Sequence, residues 1–128
     1  MSHDDLKKQI PFIDVSRLAV ALDQFAVDRN WSQFHSPKNL VMALTGEVGE
    51  LSEIFQWMSE TDSHQAAKNP ATSQDVKDEI ADVLLYLVRL ADVLKVDLNE
   101  AVTDKLKTNK LKYPIESSLG VSTKYNKK

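Results

Sequence analysis

The sequence predicts an all-α fold, an antiparallel bundle of four main helices, and three observations carry that expectation. Only three Gly and four Pro interrupt 128 residues. Between them, apolar residues recur at spacings of three and four, never in the strict alternation of a half-buried strand. Finally, an apolar content of 42% over this length suits one compact domain, without the long apolar run of a membrane span.

The first helix is expected over residues 14–30, with Val15, Leu18, Ala19, Leu22, Phe25 and Ala26 on one stripe and Asp14 or Ser16 as N-cap. After a connection at residues 31–35, Ser36-Pro37 reads as an N-cap followed by proline at the first helical position. The second helix should reach about Ser59 and bury Leu40, Val41, Leu44, Val48, Leu51, Ile54 or Phe55, and Met58. Its other stripe runs through Ala43, Gly46, Glu47, Glu50 and Trp57. Residues 60–73, polar and containing Asn69-Pro70, read as a long mobile loop. A third helix is expected over residues 73–94, burying Val76, Ile80, Val83, Leu84, Leu87, Val88 and Leu90 or Ala91, with Asp75, Glu79, Asp82, Tyr86 and Arg89 opposite. Asp97 and Glu100 form a capping box for a fourth helix of about four turns, which Tyr113-Pro114 ends. The expected organisation is an N-terminal extension (1–13), a helical domain (14–114) and a flexible C-terminal tail (115–128).

The net charge of −3 is too mild for a chain built to hold a nucleic acid polymer or an anionic membrane. It is unevenly spread. Residues 105–128 carry seven lysines and one acid, Glu116, whereas residues 1–104 carry nine basic and eighteen acidic side chains. The absence of cysteine removes disulfides, thiolate metal sites and cysteine nucleophiles. The N-terminus lacks the order of a secretion signal, so the expectation is a soluble cytoplasmic protein.

Four carboxylates conflict with this pattern. Glu47 and Glu50 are helix neighbours, as are Glu79 and Asp82, and like charges so placed repel. Both pairs stand in strongly apolar helices, where burying them unpaired costs several kcal/mol each, to order of magnitude. The ordinary explanation is a solvated face paired with Lys77, Arg89 or the C-terminal lysines. A divalent cation resolves the conflict better, and an all-oxygen donor set suits Mg²⁺ or Mn²⁺ rather than zinc. A di-iron bundle needs a histidine three residues after its glutamates, and His3, His35 and His64 stand elsewhere. The small residues Ala43, Gly46, Gly49 and Ala81 leave room for close approach of a backbone or ligand.

The run Glu47-Val-Gly-Glu50-Leu-Ser-Glu53, followed by Asp78-Glu-Ile-Ala-Asp82-Val-Leu-Leu-Tyr-Leu87, resembles the MazG-like all-α nucleoside triphosphate pyrophosphohydrolases. Arg29-Asn-Trp-Ser-Gln-Phe-His35, Pro37-Lys-Asn-Leu40, Phe55-Gln-Trp57, Val96-Asp-Leu98 and Asn109-Lys-Leu-Lys-Tyr-Pro114 are similar to its dCTP pyrophosphatase branch. The resemblance spans about residues 16–114. It implies Mg²⁺-dependent cleavage between the α- and β-phosphates of a nucleoside triphosphate, with Glu47, Glu50, Glu79 and Asp82 as metal ligands. It also implies that Trp31, His35, Trp57 and Tyr86 line the nucleotide pocket and that Lys105, Asn109, Lys112 and Tyr113 close on the triphosphate.

The residues agree with these roles. Trp57 is seven positions from Glu50 and Tyr86 four from Asp82, so both fall on the carboxylate stripes, while Lys105, Asn109 and Lys112 share one helical face. Glu47 or Glu50 is the expected general base. Two apolar faces on the second and third helices predict a homo-oligomer, which the resemblance makes a tetramer of two dimers. Two alternatives stand beside the dCTP reading: a related hydrolase of dUTP or a broad dNTP set, and a non-enzymatic oligomerising helical module with a structural Mg²⁺ site.

Overall fold

The computed structural model describes residues 10–122. Residues 1–9 of the expected N-terminal extension and 123–128 of the expected tail lie outside the described residues. Among those described there is no strand, and the all-α class holds. The helices are α1 (Ser16–Asp28), a 3₁₀ turn (Ser32–Phe34), α2 (Pro37–Phe55), the short α3 (Glu60–Ser63), α4 (Ser73–Val93), α5 (Leu98–Lys112) and the short α6 (Ile115–Ser118).

Two compact units divide the chain. The first, Val15–Val96, holds α1 to α4, with its main interface between α2 and α4 and a lesser one between α1 and α4. The α2–α4 pair is antiparallel: His35, just ahead of α2, meets Arg89 late in α4, while Glu47 and Glu50 further along α2 meet Glu79 early in α4. Leu40 (2% exposed) and Val88 (1%) are the largest wholly enclosed side chains, joined by Ala26, Ala66, Val76 and Ala91. This core is small for the number of apolar residues predicted to fill it. Ile80, Leu84 and Leu87, expected inside, form an exposed stripe on α4, and Val41 and Val48 of α2 are exposed as well.

The second unit comprises the described parts of Met1–Asp14 and Asp97–Lys128. Asp97 caps α5 as expected, its carboxylate accepting from the Glu100 N–H at 2.9 Å. Asn99 Oδ1 accepts from the Phe12 and Ile13 N–H groups at 2.7 and 3.3 Å, which ties the N-terminal segment to α5. The start of the expected tail forms α6 after Pro114.

Local chemistry explains where the helices stop. Helix α1 begins one residue past an N-cap position occupied by Val15, in place of the expected Asp14 or Ser16. It ends in a Schellman turn, with Trp31 N–H on Ala26 O (2.8 Å), Asn30 N–H on Val27 O (3.0 Å), and Asn30 in the left-handed region at φ 55°. Lys95, at φ 59°, repeats the device after α4. Ser36 caps α2 as expected, its hydroxyl accepting from Asn39 N–H, with Pro37 at the first position.

Two expectations need correction. Helix α2 stops at Phe55, four residues before Ser59, because Ser59 is used instead to cap α3 by accepting from Asp62 N–H. Residues 60–73, expected as a mobile loop, are folded: Ala66 is enclosed (2% exposed), Thr72 Oγ1 donates to Ala66 O, and Ser73 Oγ donates to Ala67 O. A Cβ at Gly46 or Gly49 would meet nothing within 4 Å, so both glycines border open space.

Candidate metal centre and adjoining cavity

The α2–α4 pair brings Glu47, Glu50 and Glu79 together, each offering one carboxylate oxygen within 4.8 Å of the others. Glu50 is exposed, whereas Glu47 and Glu79 are half-buried. The deeper oxygens, Glu47 Oε2 and Glu79 Oε2, are enclosed, and with both carboxyls ionised neither has a donor to accept from. The Glu79 carboxyl is pushed up from 4.5 to about 7, first by hydrogen bonding with the Glu47 carboxyl, then by burial, then by Glu50.

Arg89 pairs with Asp23 and Asp92, not with the glutamates. Three oxygen donors with two orphaned buried lone-pair sites fit a hard divalent cation, and they fit no soft metal. Asp82, the fourth expected ligand, is not part of the trio. It lies one turn beyond Glu79 on α4 and lines a cavity instead.

That cavity has a volume of about 260 Å³ and is walled by Leu22 and Phe25 of α1, Trp31, His35, and Asp82, Leu85, Tyr86 and Arg89 of α4. Three of the four expected pocket residues, Trp31, His35 and Tyr86, are therefore together, in a wall that also holds Asp82, one turn along α4 from Glu79. Phe25 and Trp31 pack edge to face with ring centroids 5.8 Å apart. Trp57 is not on the α2 stripe, because the helix ends two residues before it; its side chain is 89% exposed. Lys105, Asn109 and Lys112 share a face of α5 and Tyr113 is its C-cap, all four in the other compact unit.

Sequence reasoning missed the polar wall of the cavity. Arg89, 6% exposed, donates from Nη1 to Asp23 Oδ1 at 2.9 Å and from Nε to His35 Nδ1 at 3.0 Å, with Asp92 Oδ2 at 3.8 Å. His35 is held below its ordinary pKa by burial and then by the Arg89 charge. A single arginine on a mostly apolar α4 was the available signal, but its partners lie 54 and 66 residues away and no spacing rule reaches them.

Known proteins are similar to this chain. dCTP pyrophosphatase 1 of Mus musculus is 46% identical over 112 residues, which cover 88% of this chain and 64% of the mouse protein. The Homo sapiens protein of the same name is 42% identical over the same shares. The chain thus spans less than two thirds of the length of these curated relatives. The crystal structure of a pyrophosphatase from Archaeoglobus fulgidus matches with a TM-score of 0.72 at 38% identity, covering 83% of this chain and 99% of that one. The model of the MazG-like family matches residues 43–127, a span that contains all three clustered glutamates together with α4 and α5, and the chain belongs to that family.

Proposed function

We propose that the chain is a Mg²⁺-dependent nucleoside triphosphate pyrophosphohydrolase that converts dCTP or a modified dCTP to the monophosphate and pyrophosphate, removing unwanted nucleotides from the pool. The observation that carries this reading is the pair of orphaned buried oxygens, Glu47 Oε2 and Glu79 Oε2, beside an aromatic cavity. The names of the mouse and human relatives support the base, and that of the Archaeoglobus fulgidus protein supports the chemistry.

Glu47, Glu50 and Glu79 would hold the cation, with Asp82, one turn along α4, completing or orienting the set. When bound, a divalent cation supplies charge neutralisation on phosphate oxygens and orients the attacking water. Glu47 or Glu50 takes the proton of that water as the bond between the α- and β-phosphates breaks and pyrophosphate leaves. Trp31 and Tyr86 offer flat faces for the base, His35 a hydrogen bond, and Trp57 an exposed ring free to join them. Lys105, Asn109, Lys112 and Tyr113 are the proposed phosphate contacts, resting on the family resemblance; their catalytic domain is residues 14–114. Lys105→Ala is expected to raise KM, and an unchanged KM and kcat would remove Lys105 from the clamp.

The exposed stripe Ile80, Leu84 and Leu87 supports a homo-oligomer, which the family resemblance makes a tetramer of two dimers. Leu84→Asp should shift the sedimenting species to a smaller size, and no shift would take that stripe out of the assembly. Among the described residues no helix is long and apolar enough to cross a membrane, in keeping with a cytoplasmic site of action. Pyrophosphate release from a panel of dNTPs, with Mg²⁺, with Mn²⁺ and with chelator, tests the whole reading. Turnover of dUTP or of every dNTP alike would replace the dCTP assignment, and no release from any nucleotide would leave a structural module.

A further inference from the structure

We propose that Arg89 is a positioning residue that locks His35 as its Nε2–H tautomer, so that the cavity presents a fixed hydrogen-bond donor and selects a ring carrying an acceptor. This rests on the reading of the cavity as the site of the nucleotide base. A guanidinium has donors only and stays protonated throughout the accessible pH range. Because Arg89 Nε–H points at His35 Nδ1 from 3.0 Å, that nitrogen must supply the lone pair. A neutral imidazole then has one place for its proton, Nε2, and a doubly protonated ring would set two cations in contact. The lowered pKa of His35 agrees with this state.

The arrangement is built, not incidental. Arg89 is 6% exposed, and its guanidinium is held from a second side by Asp23 Oδ1 at 2.9 Å. Asp23 belongs to α1, Arg89 to α4, and His35 precedes α2, so three separate segments set one imidazole. With Nδ1 occupied, Nε2 is the ring nitrogen left for a ligand, and His35 is part of the cavity wall. The ring edge that meets it must bring a lone pair, such as the carbonyl oxygen or unprotonated ring nitrogen of a pyrimidine. An N–H at that edge would face another N–H, and such mismatches of buried polar groups are the strongest source of discrimination between similar ligands. The plain structural account makes Arg89 only an ionic tie between α1 and α4.

Long-range ¹⁵N spectra of the imidazoles in the full chain at neutral pH separate the two, with His35→Gln assigning the signal. His35 is expected as a single neutral Nε2–H tautomer, and Arg89→Met is expected to give mixed tautomers titrating nearer the ordinary value. An Nδ1–H or protonated His35 in the parent, or an unchanged spectrum in Arg89→Met, overturns the proposal. In kinetics, Arg89→Met should raise KM for dCTP about tenfold with kcat held within about twofold, the size of one lost hydrogen bond. Equal losses in kcat and kcat/KM, or no change in either, would leave Arg89 as a tie alone. Asp23→Ala alters a half-exposed side chain and carries the same readouts, in the same direction and smaller, should Arg89→Met fail to fold. A parent protein that releases no pyrophosphate sinks the functional reading while the tautomer measurement still stands or falls by itself.

Discussion

The same two helices treat buried charge in opposite ways at two points along their length. At the acidic trio, Glu47 and Glu79 each leave an oxygen enclosed with no donor to accept from when both are ionised, and the crowded carboxylates push the Glu79 pKa up to about 7. Two to three turns further along α4, Arg89 is enclosed more completely, yet Asp23, Asp92 and His35 all attend it. The cavity wall is completed by the protein's own partners, whereas the trio leaves oxygens unused, as the proposed cation site requires. That contrast separates a group kept for binding from one kept for shape, and it gives opposite signs under mutation.

The largest effect is expected from Glu79→Gln, which should lower pyrophosphate release by about a thousandfold or more by removing a metal ligand. The same change should stabilise the metal-free protein above neutral pH. Glu79 binds its proton more tightly folded (about 7) than unfolded (about 4.5), so the parent's stability falls as pH rises through that window. Thermal melts in chelator from about pH 5 to 8.5 should show this fall in the parent and a flatter profile in Glu79→Gln; a parent profile that rises instead would break the comparison. Cation binding displaces the same proton, so calorimetry in two buffers should detect proton release near pH 6.5 that fades above about pH 8.

Arg89→Met should move stability the other way, by about 2 kcal/mol, measured in urea. The cost is moderated because Asp23 remains half-exposed and recovers water once its partner is gone. The smallest effect belongs to the tryptophans. With Trp31 alone retained, emission should lie to the blue of that with Trp57 alone, since Trp31 is 46% exposed and Trp57 89%. Quenching of both by dCTP is expected. A silent Trp31 would remove the cavity from base binding, and a silent Trp57 would restrict the stack to Trp31 and Tyr86.

The local parts of the fold were legible. Ser36-Pro37 and Asp97 act as caps, and α4 begins at Ser73 and ends within a residue of expectation, because capping and periodicity depend on neighbours a few positions away. The end of α2 was not, since no glycine or proline follows Phe55 closely; the stop depends on Ser59 starting another helix. The trio was legible because burial cost attaches to residue type and apolar context. The Arg89–His35 contact was not, for it depends on how helices distant in sequence come to lie together.

The short stretch between α1 and α2 has a consequence for the thermodynamics of association. From the left-handed Asn30 to the capping Ser36, the chain is held by Phe34 N–H on Trp31 O, His35 N–H on Ser32 O, Gln33 Nε2 on Asn30 O and Asn39 Nδ2 on Phe34 O. Trp31 and His35 thus ride on backbone whose conformational entropy was surrendered during folding. A ligand entering the cavity orders little of this wall, so the free energy of its contacts is retained as affinity rather than spent on immobilising a loop.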